Sequence, residues 1–243
     1  MRWFFRIEYD GFPFSGWQSQ NNAVSVQSTL QAAFSTVVRK QCRVTGAGRT
    51  DAGVHAAGQT AHIDLPDAID IAKCAVSVNG ILPREIAVRD FKPVDTSFHA
   101  RFSAIRRTYK YYIVTRKSPL LAGRSWTVTH RINWRRMKEN VKALIGRHDF
   151  RSFCAANHGA RTTICTVYQA HLVKRGDMRI FTICADRYLY KMVRSIVGTL
   201  IDIGRGAIDD SVADIIKSKS RRRAGETAPA CGLVLDMVSY KEV

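Results

Sequence analysis

The chain has 243 residues, 46% hydrophobic, with six scattered cysteines and a formal net charge of +18. That is enough chain for one large domain or two small ones, and no apolar run reaches the ~20 residues a membrane helix needs. No Cys-x-x-Cys pair occurs and no cysteine stands at metal-ligand spacing from a histidine, so structural zinc is not expected and reduced thiols in a cytoplasmic protein are.

Met1-Arg2-Trp3-Phe4-Phe5 opens directly into an alternating pattern, so a signal peptide is not expected. Trp3, Phe5, Ile7 and Tyr9 predict a strand, and Asp10-Gly11-Phe12-Pro13 a turn. Phe14 to Gln20 reads as a polar and aromatic loop. Ser25 can cap a helix with Val26, Leu30, Phe34, Val37 and Val38 on one side. After a glycine-rich stretch, Gln59 to Leu65 alternates as a half-buried strand does. Asp67 starts a second predicted helix carrying Ile71, Cys74, Ala75 and Val78, with Asn79-Gly80 ending it. Ile86-Ala87-Val88 is a short strand, and Phe98 to Phe102 reads as the hinge between halves.

In the second half, Arg106 to Val114 is a predicted strand with basic and aromatic residues interleaved. Asn133 caps a helix to about Leu144, stopped by Gly146. A polar loop is predicted from His148 through Arg161. Thr163–Val173 and Arg179–Ala185 form two strands around the Arg175-Gly176-Asp177 turn. Leu189, Met192, Val193, Ile196, Val197, Leu200 and Ile201 make the best helical stripe in the chain, with Gly204 its stop and Arg194 at its edge. A short helix near Asp210–Ile216, the basic run Lys217–Arg223 and a closing strand Leu233–Val238 follow. Strand and helix alternate in both halves, which suggests an α+β protein with helices covering one face of a sheet.

Gly46 to Ala56 carries the chemistry. Three glycines in eight residues allow tight turns and close approach to the main chain, around one cation, one hydroxyl and one carboxylate: Arg49, Thr50 and Asp51. The Lys-Ser/Thr ending of a phosphate loop is absent, and a strand rather than a dinucleotide-binding helix follows. Asp51 then has two chemical roles open to it, nucleophile or general base, beside the plain one of capping backbone amides in a turn. Arg49, two residues away, could keep it ionised.

The charge is lopsided. Residues 1–100 hold 10 Lys/Arg against 9 Asp/Glu, whereas residues 101–243 hold 28 against 11. A basic half of this kind is the footprint of a nucleic-acid binder, and no separate basic amphipathic helix points to a membrane.

Gly48-Arg49-Thr50-Asp51-Ala52-Gly53-Val54-His55 resembles the catalytic signature of the tRNA pseudouridine synthase A family. Further blocks resemble it in family order over nearly the whole chain: Tyr9-Asp10-Gly11, Phe14-x-Gly16-Trp17-Gln18, Phe98–Phe102, Arg107-Thr108-Tyr109, His148–Phe153, Met192-Val193-Arg194 and Ala224–Leu233. The resemblance implies two ferredoxin-like halves, residues 1–100 with the catalytic loop and a basic 101–243, forming one mainly antiparallel sheet with a central cleft. It implies uridine-to-pseudouridine isomerisation at positions 38, 39 and 40 of the tRNA anticodon arm, by a homodimer. No cofactor or metal is demanded, because nothing is oxidised and nothing leaves.

By the same resemblance Asp51 is the nucleophile; attack at C1′, attack at C6 and abstraction of a sugar proton all stay open. Tyr109 lies against the target base, Arg194 pairs with Asp51, and Arg49 helps push the nucleotide from the stack. Phe98, His99, Ala100, Arg101 and Phe102, with Asn157, His158, Gly159, Ala160 and Arg161, resemble the family's tRNA contacts. His55 has two readings, a substrate contact and a packed loop histidine, of which the second is the expected one. Where the family has Asn and Phe ahead of Met192, this chain has Asp186 and Tyr188, and Asp186 adds a negative charge there. The Lys217–Arg223 run is either an added tRNA contact or a solvated loop. A non-catalytic RNA-binding protein is the alternative; a glycoside hydrolase would need a second suitably spaced acid.

Overall fold

The computed structural model describes residues 1–155 and 161–241, in which the chain forms two compact units. Unit one comprises residues 1–105 and the chain from Val234 onward; unit two is Arg106–Leu233. Unit one runs β1 (Arg2–Tyr9), α1 (Val26–Val38), β2 (Val44–Gly46), β3 (His55–Asp64), α2 (Ile71–Ile81) and β4 (Ile86–Val94). Unit two runs β5 (Arg106–Val114), β6 (Trp126–Thr127), α3 (Trp134–Val141), β7 (Gly146–Asp149), β8 (Ile164–Arg175), β9 (Met178–Ala185), α4 (Met192–Gly204) and α5 (Val212–Ser218). Strand β10 (Leu233–Ser239) closes the described chain and, all but its first residue, belongs to unit one.

In unit one β1 lies between β4 and β3, antiparallel to both. The far edge of β3 is shared: β2 pairs antiparallel with its end at Ala61–Ile63, and β10 pairs parallel with its start at His55 and Ala56. Alternation along β1 sends Phe5 to the helix side, where its ring lies 5.3 Å from that of Phe34. Phe4 points the other way, to Phe98 and Tyr240 at 6.0 and 5.7 Å. Ser25 caps α1 as expected, its hydroxyl accepting from Ser28 N. The cap of α2 is Asp70, not Asp67; Pro66 turns the chain first, with Ile69 N bonding its carbonyl. Asn79 does not stop α2. Its side chain reaches across to Val88, donating to the carbonyl and accepting from the amide.

In unit two the antiparallel order is β5-β9-β8-β7, with β6 parallel on β5. Gly146 to Asp149, expected as helix stop and loop, is strand β7. Helix α4 begins at Met192, after Lys191 in a left-handed conformation with φ +58°, rather than at Leu189. Every residue of α4 except Arg194 is buried, including Ser195, Thr199 and Asp202. An amphipathic stripe predicts a solvated polar face; here residues 221–230 cover that face. The six cysteines are all free thiols.

Candidate active site

Asp51 sits on the turn between β2 and β3. A second loop, residues 10–18, clamps that turn through the main chain. Trp17 N donates to Thr50 O at 3.1 Å and Gly53 N to Phe14 O at 3.4 Å. Gly11 packs so closely on Val54 that a Cβ there would stand 2.0 Å from its carbonyl oxygen. Gly53 takes φ +74°, which L side chains rarely adopt. The turn closes on itself with Val54 N on Asp51 O at 3.2 Å. Below it Thr50 is buried, and its hydroxyl meets the Tyr9 hydroxyl at 2.8 Å. Asp51 is half-buried at the tip, and Arg49 and Ala52 beside it are exposed. Main-chain bonds thus hold the turn that presents the carboxylate.

His55 is a packed residue, as expected, at the start of β3. It is buried, and its Nδ1 lies 3.1 Å from both Gly11 N and Asp10 Oδ1. It ties the two loops together.

Phe98 to Phe102 also belongs to unit one, as a knotted turn rather than a hinge. His99 Nδ1 accepts from Arg101 N and Phe102 N, and Ser103 Oγ accepts from His99 N. Ala100 N donates to the buried His62 Nδ1 at 3.1 Å, and Tyr240 donates its hydroxyl proton to Ala100 O at 2.7 Å. Burial lowers the His62 pKa to about 4, helped by Arg2 and His99. The ring is therefore neutral near pH 7 and free to accept at Nδ1. The turn holds Arg101 and Phe102 out to solvent, Phe102 at 76% exposure.

Tyr109 and Arg194 belong to unit two. The Tyr109 ring meets Tyr188 edge-on at 5.0 Å. Tyr188 lies within hydrogen-bond distance of the carbonyls of Arg107 and Ile183, and burial pushes its phenol well up. Tyr188 thus backs Tyr109 as a neutral ring. Arg194 donates through Nε to Ala228 O at 2.8 Å, and Ala228 N returns a bond to Arg194 O at 3.1 Å. Next to it Tyr111 donates to Pro229 O at 2.7 Å. One strap, residues 224–230, therefore positions both the strand and the helix.

Side chains hold the strap. Thr199 Oγ1 accepts from Gly225 N, Asp202 accepts from Glu226 N, and Arg221 donates to the carbonyls of Ala224 and Gly225. Arg221 is thus a brace, and Arg223 pairs with Asp210, so two arginines of the Lys217–Arg223 run have protein partners. Asp186 is accounted for as well. Its carboxylate accepts from Thr166 N at 2.9 Å and Arg187 N at 2.7 Å, beside a register shift between β8 and β9.

Arg161 is exposed; Asn157, His158, Gly159 and Ala160 lie outside the described residues. Sequence reasoning missed Tyr9, Thr50, Tyr240 and the strap as positioning elements; contacts with partners far away in the chain leave no periodic signal. Among the described residues no group of three or more His, Cys, Asp or Glu side chains could hold a metal ion, and no helix is long and apolar enough to cross a membrane.

These features define an α+β protein that offers one carboxylate on a clamped glycine turn. Residues 6–103 and 141–241 match the family model described as tRNA pseudouridine synthase. Proteins named tRNA pseudouridine synthase A are similar over nearly their full length. That of Thermoanaerobacter sp. (strain X514) is 44% identical over 96% of this chain and 97% of its own. That of Porphyromonas gingivalis is 43% identical over 98% and 97%, and that of Bacillus subtilis 40% identical over 96% and 97%. A solved Cbf5–Nop10–Gar1 complex overlaps at a TM-score of 0.38 and 10% identity, covering 98% of this chain and 59% of that one, a likeness too slight to bear on fold or function. The chain belongs to the tRNA pseudouridine synthase family.

Proposed function

We propose that this chain isomerises uridine to pseudouridine at positions 38, 39 and 40 of the tRNA anticodon arm, with Asp51 as the nucleophile and Arg194 as the cation that keeps it ionised. The observation that carries the reading is the clamped turn. Asp51 is the one acid of the family's signature, and main-chain contacts hold its turn, which supports a carboxylate kept ready as a nucleophile.

The reaction breaks N1–C1′, turns the freed uracil and bonds C5 to C1′; the proton lost from C5 is balanced by the one gained at N1. No electrons are exchanged, so one carboxylate and a base-holding wall suffice. Tyr109, backed by Tyr188, supplies that wall. A uridine in a stem must leave the stack, and exposed Arg49 is the arm that fills the gap. The exposed Arg101 and Phe102, and Arg161 with residues 157–160, bind tRNA by backbone and shape. The order β4-β1-β3-β2 of a βαββαβ chain supports the ferredoxin-like reading for unit one. The excess of cations after residue 100 supports a homodimer that brings basic surface to the near-neutral part carrying Asp51.

Incubation with an unmodified tRNA transcript, followed by mapping of pseudouridine, tests the reading. Conversion at positions 38–40 by the wild-type chain, abolished in Asp51→Asn with tRNA affinity kept, is the expected result. Full turnover by Asp51→Asn would remove Asp51 from the chemistry. Tight tRNA binding with no conversion by either protein would leave a non-catalytic RNA binder.

A further inference from the structure

The positive charge of unit two has a second focus, away from the strand end that carries Tyr109. No Asp or Glu occurs between Asp95 and Glu139. At the β8–β9 hairpin Lys174 lies directly opposite Arg179, and Arg175 follows on the same turn. Like charges directly opposite one another in an antiparallel pair are destabilising. The Arg179 guanidinium lies over the Trp134 ring at 5.0 Å and reaches the Gly176 and Met178 carbonyls. Those contacts hold it in place without neutralising it. Lys138 lies one turn beyond Trp134 on α3, and Lys117 follows β5; both are exposed. The turn's own acid, Asp177, is taken by Arg116. Among the described residues none of Lys117, Lys138, Lys174, Arg175 and Arg179 forms an ion pair.

This ridge is far from Tyr109 along the strands. Arg179 pairs with Ile113 and Tyr109 with Ile183. Four residues at ~3.3 Å each put about 13 Å between the two positions.

Uncompensated cations spread over two strands and a helix match an extended polyanion and not a single bound anion. We infer that this ridge binds the sugar-phosphate backbone of tRNA outside the anticodon arm. The inference rests on tRNA being the substrate. Phosphate contacts of this kind position an RNA without reading its sequence. They also explain why the chain keeps a like-charge cross-strand pair that folding alone disfavours.

The test compares a full-length tRNA transcript with an isolated anticodon stem-loop, using the Lys174→Gln/Arg175→Gln double variant. Both side chains are exposed, so folding is not at stake. The variant's affinity for full-length tRNA should fall about tenfold, and its log–log salt slope should become shallower by ~1–2, at ~0.7–0.9 per lost phosphate contact. Stem-loop affinity and the rate of stem-loop conversion should not change. The melting temperature should not fall, because a repulsion has been removed. Unchanged full-length affinity and slope would overturn the proposal, as would equal weakening toward both RNAs. If the wild-type chain converts neither RNA, the catalytic reading fails, while the binding comparison still decides the ridge.

Discussion

Asp51 in unit one and Arg194 in unit two are each held by a segment distant in sequence, 41 residues from Tyr9 to Thr50 and 34 from Arg194 to Ala228. The two clamps are made of different materials. Residues 10–18 grip the Asp51 turn mostly backbone to backbone, with Gly11 pressed on Val54. The strap at 224–230 grips α4 through Thr199 and Asp202, with Gly198 pressed on Glu226, and Arg221 braces the strap itself. A main-chain clamp holds the turn through bonds that do not depend on the side chains beside it. A side-chain clamp ties its cation to a buried polar network, in which each partner removed leaves another unsatisfied.

The largest effect expected from breaking this comparison is on Arg194. Arg194→Met keeps most of the stem and deletes the head that donates to Ala228. Turnover on tRNA should fall at least ~10²-fold, as for loss of a charge-stabilising donor, while stability falls only by the ~1–3 kcal/mol of one carbonyl left without its donor. Arg194→Lys restores the charge but not the planar Nε donor, so it should recover only part of the rate. Wild-type turnover by Arg194→Met would remove the residue from the chemistry.

Next come the glycines, which probe the clamps themselves. Gly198 is mid-helix, where Ala is ordinarily favoured by ~1 kcal/mol. A Cβ there would stand 1.8 Å from Glu226 O, and at Gly11 it would stand 2.0 Å from Val54 O. Two backbones must part in either case, so Gly198→Ala and Gly11→Ala should each cost about 3 kcal/mol or more in denaturant unfolding. At Gly48, in the same loop as Asp51, an added Cβ would meet nothing within 4 Å. Gly48→Ala is the control, expected to leave stability unchanged.

The strand and helix pattern of this fold was legible because most elements bury one face. Phe5 and Ile7 alternate in β1, and Leu30 and Phe34 recur in α1. Asp51 was legible because a carboxylate among glycines is a local pattern. What could not be read is what depends on partners far away in the chain. Strand β2 is three residues long and exists because β3 offers it an edge. Strand β10 finds β3 across nearly the whole sequence. The polar side of α4 gives no hint that residues 221–230 will cover it, and Arg221 looks like any other member of a basic run until its carbonyl partners are seen.

Not every bond in unit one is main-chain to main-chain, and a buried histidine qualifies the contrast. His62 accepts from Ala100 N, and its pKa is lowered to about 4 from the usual 6.5. Between those values the unfolded chain binds a proton that the folded chain does not. Stability should therefore be flat in this respect above about pH 6.5 and fall as the pH drops toward 4, by up to ~3 kcal/mol. Asp64 is the acid that favours the protonated ring; Arg2, which pairs with Asp64, and His99 oppose protonation. Unfolding curves at pH 7.5 and 4.5 should show this slope in the wild type, and His62→Asn should lack it. An equal slope in the variant would place the acid sensitivity elsewhere.

The smallest expected effect concerns the floor beneath Asp51, where the two hydroxyls of Tyr9 and Thr50 meet at 2.8 Å. Tyr9→Phe removes one partner and leaves the ring packed against Trp17 at 6.2 Å. Thr50 is 7% exposed, so its hydroxyl would be left short of a partner. That should cost ~1 kcal/mol of stability. Thr50→Val alone should cost a similar amount, because it takes the Thr50 partner from the Tyr9 hydroxyl. The double variant removes both groups and should be less destabilised than the two singles added together, which is the signature of a direct pair in a double-mutant cycle. Because backbone contacts fix the Asp51 turn, all three variants should keep wild-type turnover to within a few-fold. A loss of activity much larger than the loss of stability would show that the hydroxyl pair, rather than the main-chain clamp, aims Asp51.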